Sequence, residues 1–233
     1  IEEVANLHDN DRVQVGPFIL QLQEGELRSH LDSSAIRIDV LGLSREVGTP
    51  GTRKTILRDI SVSIGRRELV GILGPSGSGK TTFLNAICGL EPATGGQVLF
   101  NGQDLYEHYD AARQVIGYVP QRDELHDELT LDQAMEYAAR LRLPREMTDI
   151  DRREHINRLV DLLELSHRRD TQLGSLSGGE RKRVSIGIEL LSQPGVLFAD
   201  EPTAGLDPRN QERMMYLFRR IASSGCTVVM ATH

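Results

Sequence analysis

The chain has 233 residues, 34 of them acidic against 27 basic, giving a formal net charge of −7, with 39% hydrophobic residues and no Trp. Such a length suits one large α/β domain, or one domain with a piece of another, and the mild acidity disfavours nucleic acid as a partner. No apolar run approaches the ~18 residues that a membrane span needs, no segment resembles a signal peptide, and Cys88 and Cys226 read as small buried residues of a reducing compartment.

Residues 1–28 read as two or three short strands. Val13-Gln-Val15 alternates, Gly16-Pro17 makes a turn, and Phe18-Ile-Leu-Gln-Leu22 continues. The phrase from Leu7 to Phe18 resembles the last hairpin of a forkhead-associated domain, a β-sandwich that reads phosphothreonine. That family's phosphate contacts lie upstream of the hairpin, so no residue is carried over. Residues 29–35 read as a polar linker. Ile36–Val40 and Ile60–Ile64 alternate as half-exposed antiparallel strands do, with a loop at Gly48–Lys54 between them.

Leu69-Val-Gly-Ile-Leu73 is a short apolar strand. It runs into Gly74-Pro-Ser-Gly-Ser-Gly-Lys-Thr81 and then into the helical pattern Thr82–Cys88. Strand, glycine loop and helix in that order make a phosphate-binding loop. In the loop Gly74, Pro75, Ser76, Gly77, Ser78 and Gly79, the N–H groups of every residue but Pro75 are free to converge on one anion, with the positive end of the helix dipole behind them. Lys80 would neutralise β- and γ-phosphate charge, the Thr81 hydroxyl would ligate Mg²⁺, and Thr82 continues the cradle. The chain therefore reads as binding a nucleoside triphosphate.

Gln97–Phe100 and Val115–Val119 supply further strands. From 122 to 175 the pattern turns helical. Thr130 and Gln133 form a capping box; Leu131, Ala134, Met135, Ala138 and Leu141 share a face; Pro144 ends the helix. Ile156, Leu159, Val160 and Leu163 mark a second helix, and the pairs Arg152-Arg153 and Arg168-Arg169 read as solvated. Leu176-Ser-Gly-Gly-Glu180 follows. Ser177 and Glu180 have capping-box spacing, but Gly178-Gly179 costs a helix start of order 1 kcal/mol each relative to Ala. Close approach to a phosphate explains the glycines; a plain cap does not.

Val196–Ala199 is wholly apolar, as a buried parallel strand is, and delivers Asp200-Glu201 to its carboxyl end. Paired carboxylates there call for a cation. Asp200 fits as the metal-side acid and Glu201 as the base or orienter of attacking water. Asp207 can be an N-cap before Pro208, compatible with a second role. Thr227–Met230 is the last strand, with His233 just past it; the abrupt stop there reads as a fragment cut at both ends.

Together these motifs, with Gln121 after a strand, resemble the nucleotide-binding domain of ATP-binding-cassette proteins over residues 36–233. The resemblance implies an α/β phosphate-loop NTPase core of RecA-like type, an antiparallel β-subdomain and a helical subdomain at about 122–175, behind a short β remnant, and it normally continues beyond the histidine. It implies ATP and Mg²⁺ as ligands, with Thr81, Gln121 and Asp200 at the metal. It further implies a head-to-tail homodimer in which Ser177, Gly178 and Gly179 of one protomer complete the site built on Lys80 of the other. Gln121 would sense Mg²⁺ and water, Glu201 would activate that water, His233 would hold the γ-phosphate, and Asp207 would link the two sites.

The runs Val119-Pro-Gln121, Ala138–Pro144 and Glu180–Leu190 resemble the G-subfamily exporters, which carry their membrane domain downstream on the same chain. That implies an ATPase at the cytoplasmic face of a bacterial membrane, a transmembrane partner after His233, and phosphothreonine peptides as ligands of the N-terminal domain. Such cassettes usually stack adenine on an aromatic ring near the first strand. No aromatic lies between Phe18 and Phe83, which leaves Leu43 or Val47 as an apolar platform. The competing readings are a soluble cassette ATPase acting on nucleic acid or ribosomes, and an ATPase gated by phosphopeptides for signalling.

Overall fold

A computed structural model of the chain describes residues 7–9, 11–15, 18–23, 25–30, 35–49 and 52–233. Strands β1 (Arg12–Val15), β2 (Phe18–Gln23) and β3 (Glu26–His30) form an antiparallel sheet in sequence order. The β1–β2 pairing aligns Val13 with Leu20 and Val15 with Phe18, in accord with the alternation. The Gly16-Pro17 turn and residues 31–34 of the linker lie outside the described residues. The linker's start is corrected: Ser29 and His30 complete β3, opposite Leu20 and Ile19. At its other end Ala35 is buried. Backbone pairing, which polar side chains do not preclude, decides where a strand stops.

Strands β4 (Ile38–Val47) and β5 (Lys54–Ile64) are about twice the length that alternation reveals. Register shifts between Val40 and Leu43, and again either side of Arg45, are the reason. Each bulge moves the following side chains to the other face and erases the period-two pattern. Then come β6 (Leu69–Leu73) and α1 (Lys80–Ile87), followed by β7 (Gly95–Phe100) and β8 (Gln103–Asp104). A short α2 (Tyr109–Ala112) leads to β9 (Ile116–Val119). The helical region holds α3 (Leu131–Arg142) and α4 (Asp149–Leu162). The chain closes with α5 (Gly178–Leu190), β10 (Val196–Asp200), α6 (Pro208–Ser223) and β11 (Thr227–Thr232).

These strands make two more sheets: antiparallel β5-β4-β7-β8, and parallel β6-β11-β10-β9. The parallel sheet divides the core. Leu197, Ala199, Val228 and Met230 face α3 to α6, whereas Val196, Phe198, Val229 and Ala231 face α1 and the antiparallel sheet. Successive side chains of a strand point to opposite faces, so a strand apolar at every position is what a sheet covered on both sides requires.

Two expectations for the helical region are overturned. Leu141 is 87% exposed. At 3.6 residues per turn, six positions past Met135 carries it about 120° off the buried line, and Ala139 takes the inner place. Nor are the arginine pairs simply solvated. The Arg152 side chain is only 13% exposed and is held by Glu136 and Asp149. Arg169 and Arg153 both pair with Asp132, tying α4 and the segment after it to α3. Arg168 reaches Glu180 at the start of α5. These partners lie 3 to 37 residues away, and a charge run in the sequence does not reveal them.

Candidate functional site

The site gathers at the carboxyl ends of the parallel strands, where open α/β sheets bind their ligands. After β6 the loop Gly74–Gly79 turns on two glycines in the left-handed region, Gly77 at φ 76° and Gly79 at φ 94°. A Cβ on Gly74 would lie 2.7 Å from Ser78 Oγ, so the loop closes only around a bare backbone there. Ser78 N–H donates to the Pro75 carbonyl at 3.2 Å, with Ser76 and Gly77 exposed between them. Gly79 is the N-cap of α1, and Lys80, Thr81 and Thr82 form its first turn, as read from the sequence.

Lys80 is buried at 7% exposure. Its Nζ donates to the Gly74 and Pro75 carbonyls at 2.8 and 3.1 Å and lies 3.3 Å from His233 Nδ1. Thr81 Oγ1 donates to Asp200 Oδ1 at 3.2 Å across the α1–β10 gap. Asp200 is itself buried, and that burial raises its pKa above the ordinary carboxylate value, with the Thr81 hydrogen bond opposing the shift. A carboxylate whose burial disfavours its charge, set beside a threonine hydroxyl, is a pair of hard oxygen donors suited to a cation.

Glu201 follows at φ 46° and is anchored by its N–H to the Ala231 carbonyl at 2.9 Å. Two predicted partners converge on its carboxylate. Gln121 Nε2 donates to Oε2 at 2.8 Å from beyond the end of β9, and His233 Nε2 stands 2.8 Å from Oε1. A proton on Nε2 satisfies Glu201 and leaves His233 Nδ1 as an acceptor facing Lys80. Thr203 and Thr232 hydroxyls bond each other at 3.1 Å below this cluster, a strut no motif announces.

Among the described residues no group of three or more His, Cys, Asp or Glu side chains is set to hold a metal. Mg²⁺ does not demand one. It binds through one or two carboxylates and completes its shell with waters and substrate phosphates. Thr81 Oγ1, Asp200 and the side-chain oxygen of Gln121 fit that donor set.

The glycine signature stands apart. Ser177 N-caps α5 in a full capping box: Glu180 N–H donates to Ser177 Oγ at 3.4 Å, and Ser177 N–H donates back to Glu180 Oε2 at 2.9 Å. The Ser177 hydroxyl also donates to Glu180 Oε2, at 2.7 Å. Gly178 would meet nothing if given a Cβ, and Gly179 only an ordinary contact with Asn210. Packing therefore does not require these glycines. No hydrogen bond or ion pair among the described residues joins 176–180 to the loop 74–81. Asp207 N-caps α6, accepting from Arg209 N–H and Asn210 N–H at 3.0 and 3.1 Å.

The adenine platform is corrected. Leu43 is fully buried in the core, because the bulges of β4 turn it inward; it has no face to offer a base. Val47 is 39% exposed at the strand's end. Sequence reasoning also missed Lys182, whose Nζ reaches the backbone of Gln121. It sits in the basic run Arg181-Lys-Arg183, which reads as a solvated charge run although Lys182 and Arg183 are both buried and Arg181 pairs with Asp127.

A phosphate loop, a magnesium-competent Thr–Asp pair, a Glu–Gln–His cluster and a detached glycine turn on a two-sheet scaffold define a cassette-type ATPase. The family described as "ABC transporter" matches residues 57–204, and the chain belongs to it, as its ATP-hydrolysing cassette. ABC transporter ATP-binding/permease protein Rv1747 of Mycobacterium tuberculosis is 38% identical over 235 residues, covering 99% of this chain and 27% of its own length. ABC transporter G family member 22 of Arabidopsis thaliana is 40% identical over 192 residues, covering 79% of this chain and 25% of its own. The chain thus spans about a quarter of the curated relatives it matches. Among solved structures, the dimeric bacterial ABC transporter cassette MJ0796 aligns with a TM-score of 0.73 at 29% identity, over 84% of this chain and 88% of that one. A dimeric post-hydrolysis state of the same cassette, bound to ADP and Pi, aligns with a TM-score of 0.72 at 28% identity, over 84% of this chain and 88% of that one.

Proposed function

We propose that this cassette is the motor of a membrane exporter and that two copies close head-to-tail over two Mg-ATP. The observation that carries the reading is the split of the machinery. Lys80, Thr81, Asp200, Gln121, Glu201 and His233 converge at one end of the parallel sheet, while Ser177–Gly179 sits apart on its own helix N-terminus with its glycines unused by packing. A second copy brings that N-terminus, with its free amides, onto the γ-phosphate. The Ser177 hydroxyl then turns from Glu180 toward the phosphate.

In this reading the loop Gly74–Gly79 binds the phosphates through its N–H groups, with Pro75, Ser76 and Ser78 shaping it. Lys80 transfers its ammonium from the Gly74 and Pro75 carbonyls to the β- and γ-phosphates. Bound Mg²⁺ supplies further charge neutralisation there, held by Thr81, Asp200 and Gln121. Glu201 accepts a proton from water as its oxygen attacks γ-phosphorus and the bond to the bridging oxygen of ADP breaks. Gln121 orients that water, and His233 steadies the γ-phosphate. Asp207, exposed at its cap, faces the second copy.

The relative named as an ATP-binding/permease protein supports a membrane domain on the same polypeptide, and with it a position at the cytoplasmic face of the membrane. The alignment covers 99% of this chain, N-terminal strands included, and on the sequence resemblance of Leu7 to Phe18 we read residues 1–28 as the tail of a forkhead-associated domain that binds phosphothreonine peptides. No helix among the described residues is long and apolar enough to cross a membrane.

Glu201→Gln tests the site. We expect ATP binding to persist, turnover to fall at least about a hundredfold, and a nucleotide-dependent dimer to accumulate in sizing experiments. Wild-type turnover in that variant would refute the role given to Glu201. A monomer at saturating Mg-ATP would refute the head-to-tail arrangement.

A further inference from the structure

Lys182 is the fifth residue of α5, and its side chain is 7% exposed. A buried ammonium needs acceptors for its protons and a counter-charge, and here it has two carbonyls for the first and a carboxylate for the second. Nζ donates to the Pro120 carbonyl at 3.0 Å and to the Gln121 carbonyl at 2.8 Å, and it stands 3.1 Å from Asp123 Oδ1. All three acceptors belong to the segment that leaves β9. Among the described residues, that carboxylate oxygen has no other polar partner. The lysine is therefore a clamp from α5 onto the backbone at Gln121, whose amide reaches Glu201 at 2.8 Å.

The same helix begins with the Ser177–Gly179 turn. One rigid element thus holds, five residues apart, the group offered to a second copy's nucleotide and the grip on the residue that faces this copy's own. We propose that Lys182 is a positioning residue: it sets the Gln121 amide against Glu201 and makes the Gln121 arm move with the signature turn as one body. The inference rests on the site reading above, because it acts through Gln121 and Glu201.

The test is steady-state ATPase kinetics on the full-length parent protein, comparing Lys182→Met, Lys182→Arg, Gln121→Ala and the Gln121→Ala/Lys182→Met double variant. Lys182→Met should lower kcat about tenfold and leave KM for ATP within about threefold, since no contact to nucleotide is lost. Lys182→Arg, which can still donate to two carbonyls and a carboxylate, should recover at least half of the wild-type kcat. The decisive readout is coupling: the double variant should be no slower than Gln121→Ala alone. A wild-type kcat for Lys182→Met beside a slow Gln121→Ala would overturn this inference and leave the site reading standing. Multiplying effects in the double variant would overturn it too, as would a rise in KM with kcat unchanged. A wild-type kcat for Gln121→Ala would instead bring down the site reading, and this inference with it. Should Lys182→Met fail to fold, Asp123→Asn takes its place. It loosens the same clamp and should lower kcat severalfold without additivity to Gln121→Ala; additivity, or an unchanged kcat, counts against the clamp.

Discussion

Glu180 shows how much one side chain can be asked to hold. Burial by itself pushes its carboxyl up, yet hydrogen bonds from the Ser177 hydroxyl and N–H and the Arg168 guanidinium outweigh that and bring it down to about 2. A folded-state pKa below the ordinary 4.5 means that the cap's ionic contribution is complete above 4.5 and disappears as the pH falls toward 2. Urea unfolding of the wild type and of Glu180→Gln should therefore differ by a constant amount above about pH 5.5, and the gap should close on acidification below that. A pH-independent gap would mean that shape, not charge, makes the cap. The Ser177–Glu180 spacing was legible in the sequence, because a capping box is a local pattern. Arg168, twelve residues away through an irregular turn, was not. The same divide separates Lys80 and Thr81, fixed by their loop, from Lys182, whose partners are backbone carbonyls that no residue type advertises.

Strands β10 and β11 were legible because a sheet covered on both faces leaves no polar position to blur the run. β4 and β5 were legible only in part. Their outer halves pass through bulges built on Gly42, at φ 58°, and opposite it Gly96, at φ 84°. A Cβ on Gly96 would come within 2.5 Å of the Gly42 backbone. Main chain cannot swing aside as a side chain does, and the positive φ adds its own penalty. Gly96→Ala should thus destabilise by about 2–4 kcal/mol, read as a lowered denaturation midpoint. A loss under about 0.5 kcal/mol would show that the two strands tolerate separation at the bulge. In α3 residue type misled: a leucine at its end looked like core, although the helical period already turns it about 120° from the buried line.

Across the whole molecule, the two inner faces of the parallel sheet do different work. One packs the helices that carry the signature turn; the other packs α1 and the antiparallel sheet beside the phosphate loop. Contacts far apart in sequence lock the entry to the domain: Thr227 Oγ1 donates to the Ile36 carbonyl at 2.7 Å, and Ile36 N–H to the Gly195 carbonyl at 3.1 Å. No motif encodes those pairings. The order of motifs fixed the class of machine, while topology alone brings Gln121, Glu201 and His233 together. Strands β4 and β5 carry no aromatic ring, the Phe100 ring of β7 is buried, and so is the Leu43 side chain. A base that stacks on nothing forgoes roughly 1–3 kcal/mol of affinity, whichever purine it is, and no other group among the described residues is placed to tell the two apart. We expect kcat/KM for GTP to lie within about tenfold of that for ATP, a comparison that competition assays decide. A hundredfold bias to ATP would require a base-reading group elsewhere.

The backbone at Glu201 sits in a region that glycine occupies freely and that side-chain-bearing residues enter at a cost of roughly 1–2 kcal/mol. A carboxylate is kept there against the main chain's own preference. Glycine at this bend would relieve the main chain and delete the side chain on which Gln121 and His233 converge, so durability and the cluster pull in opposite directions at this one position.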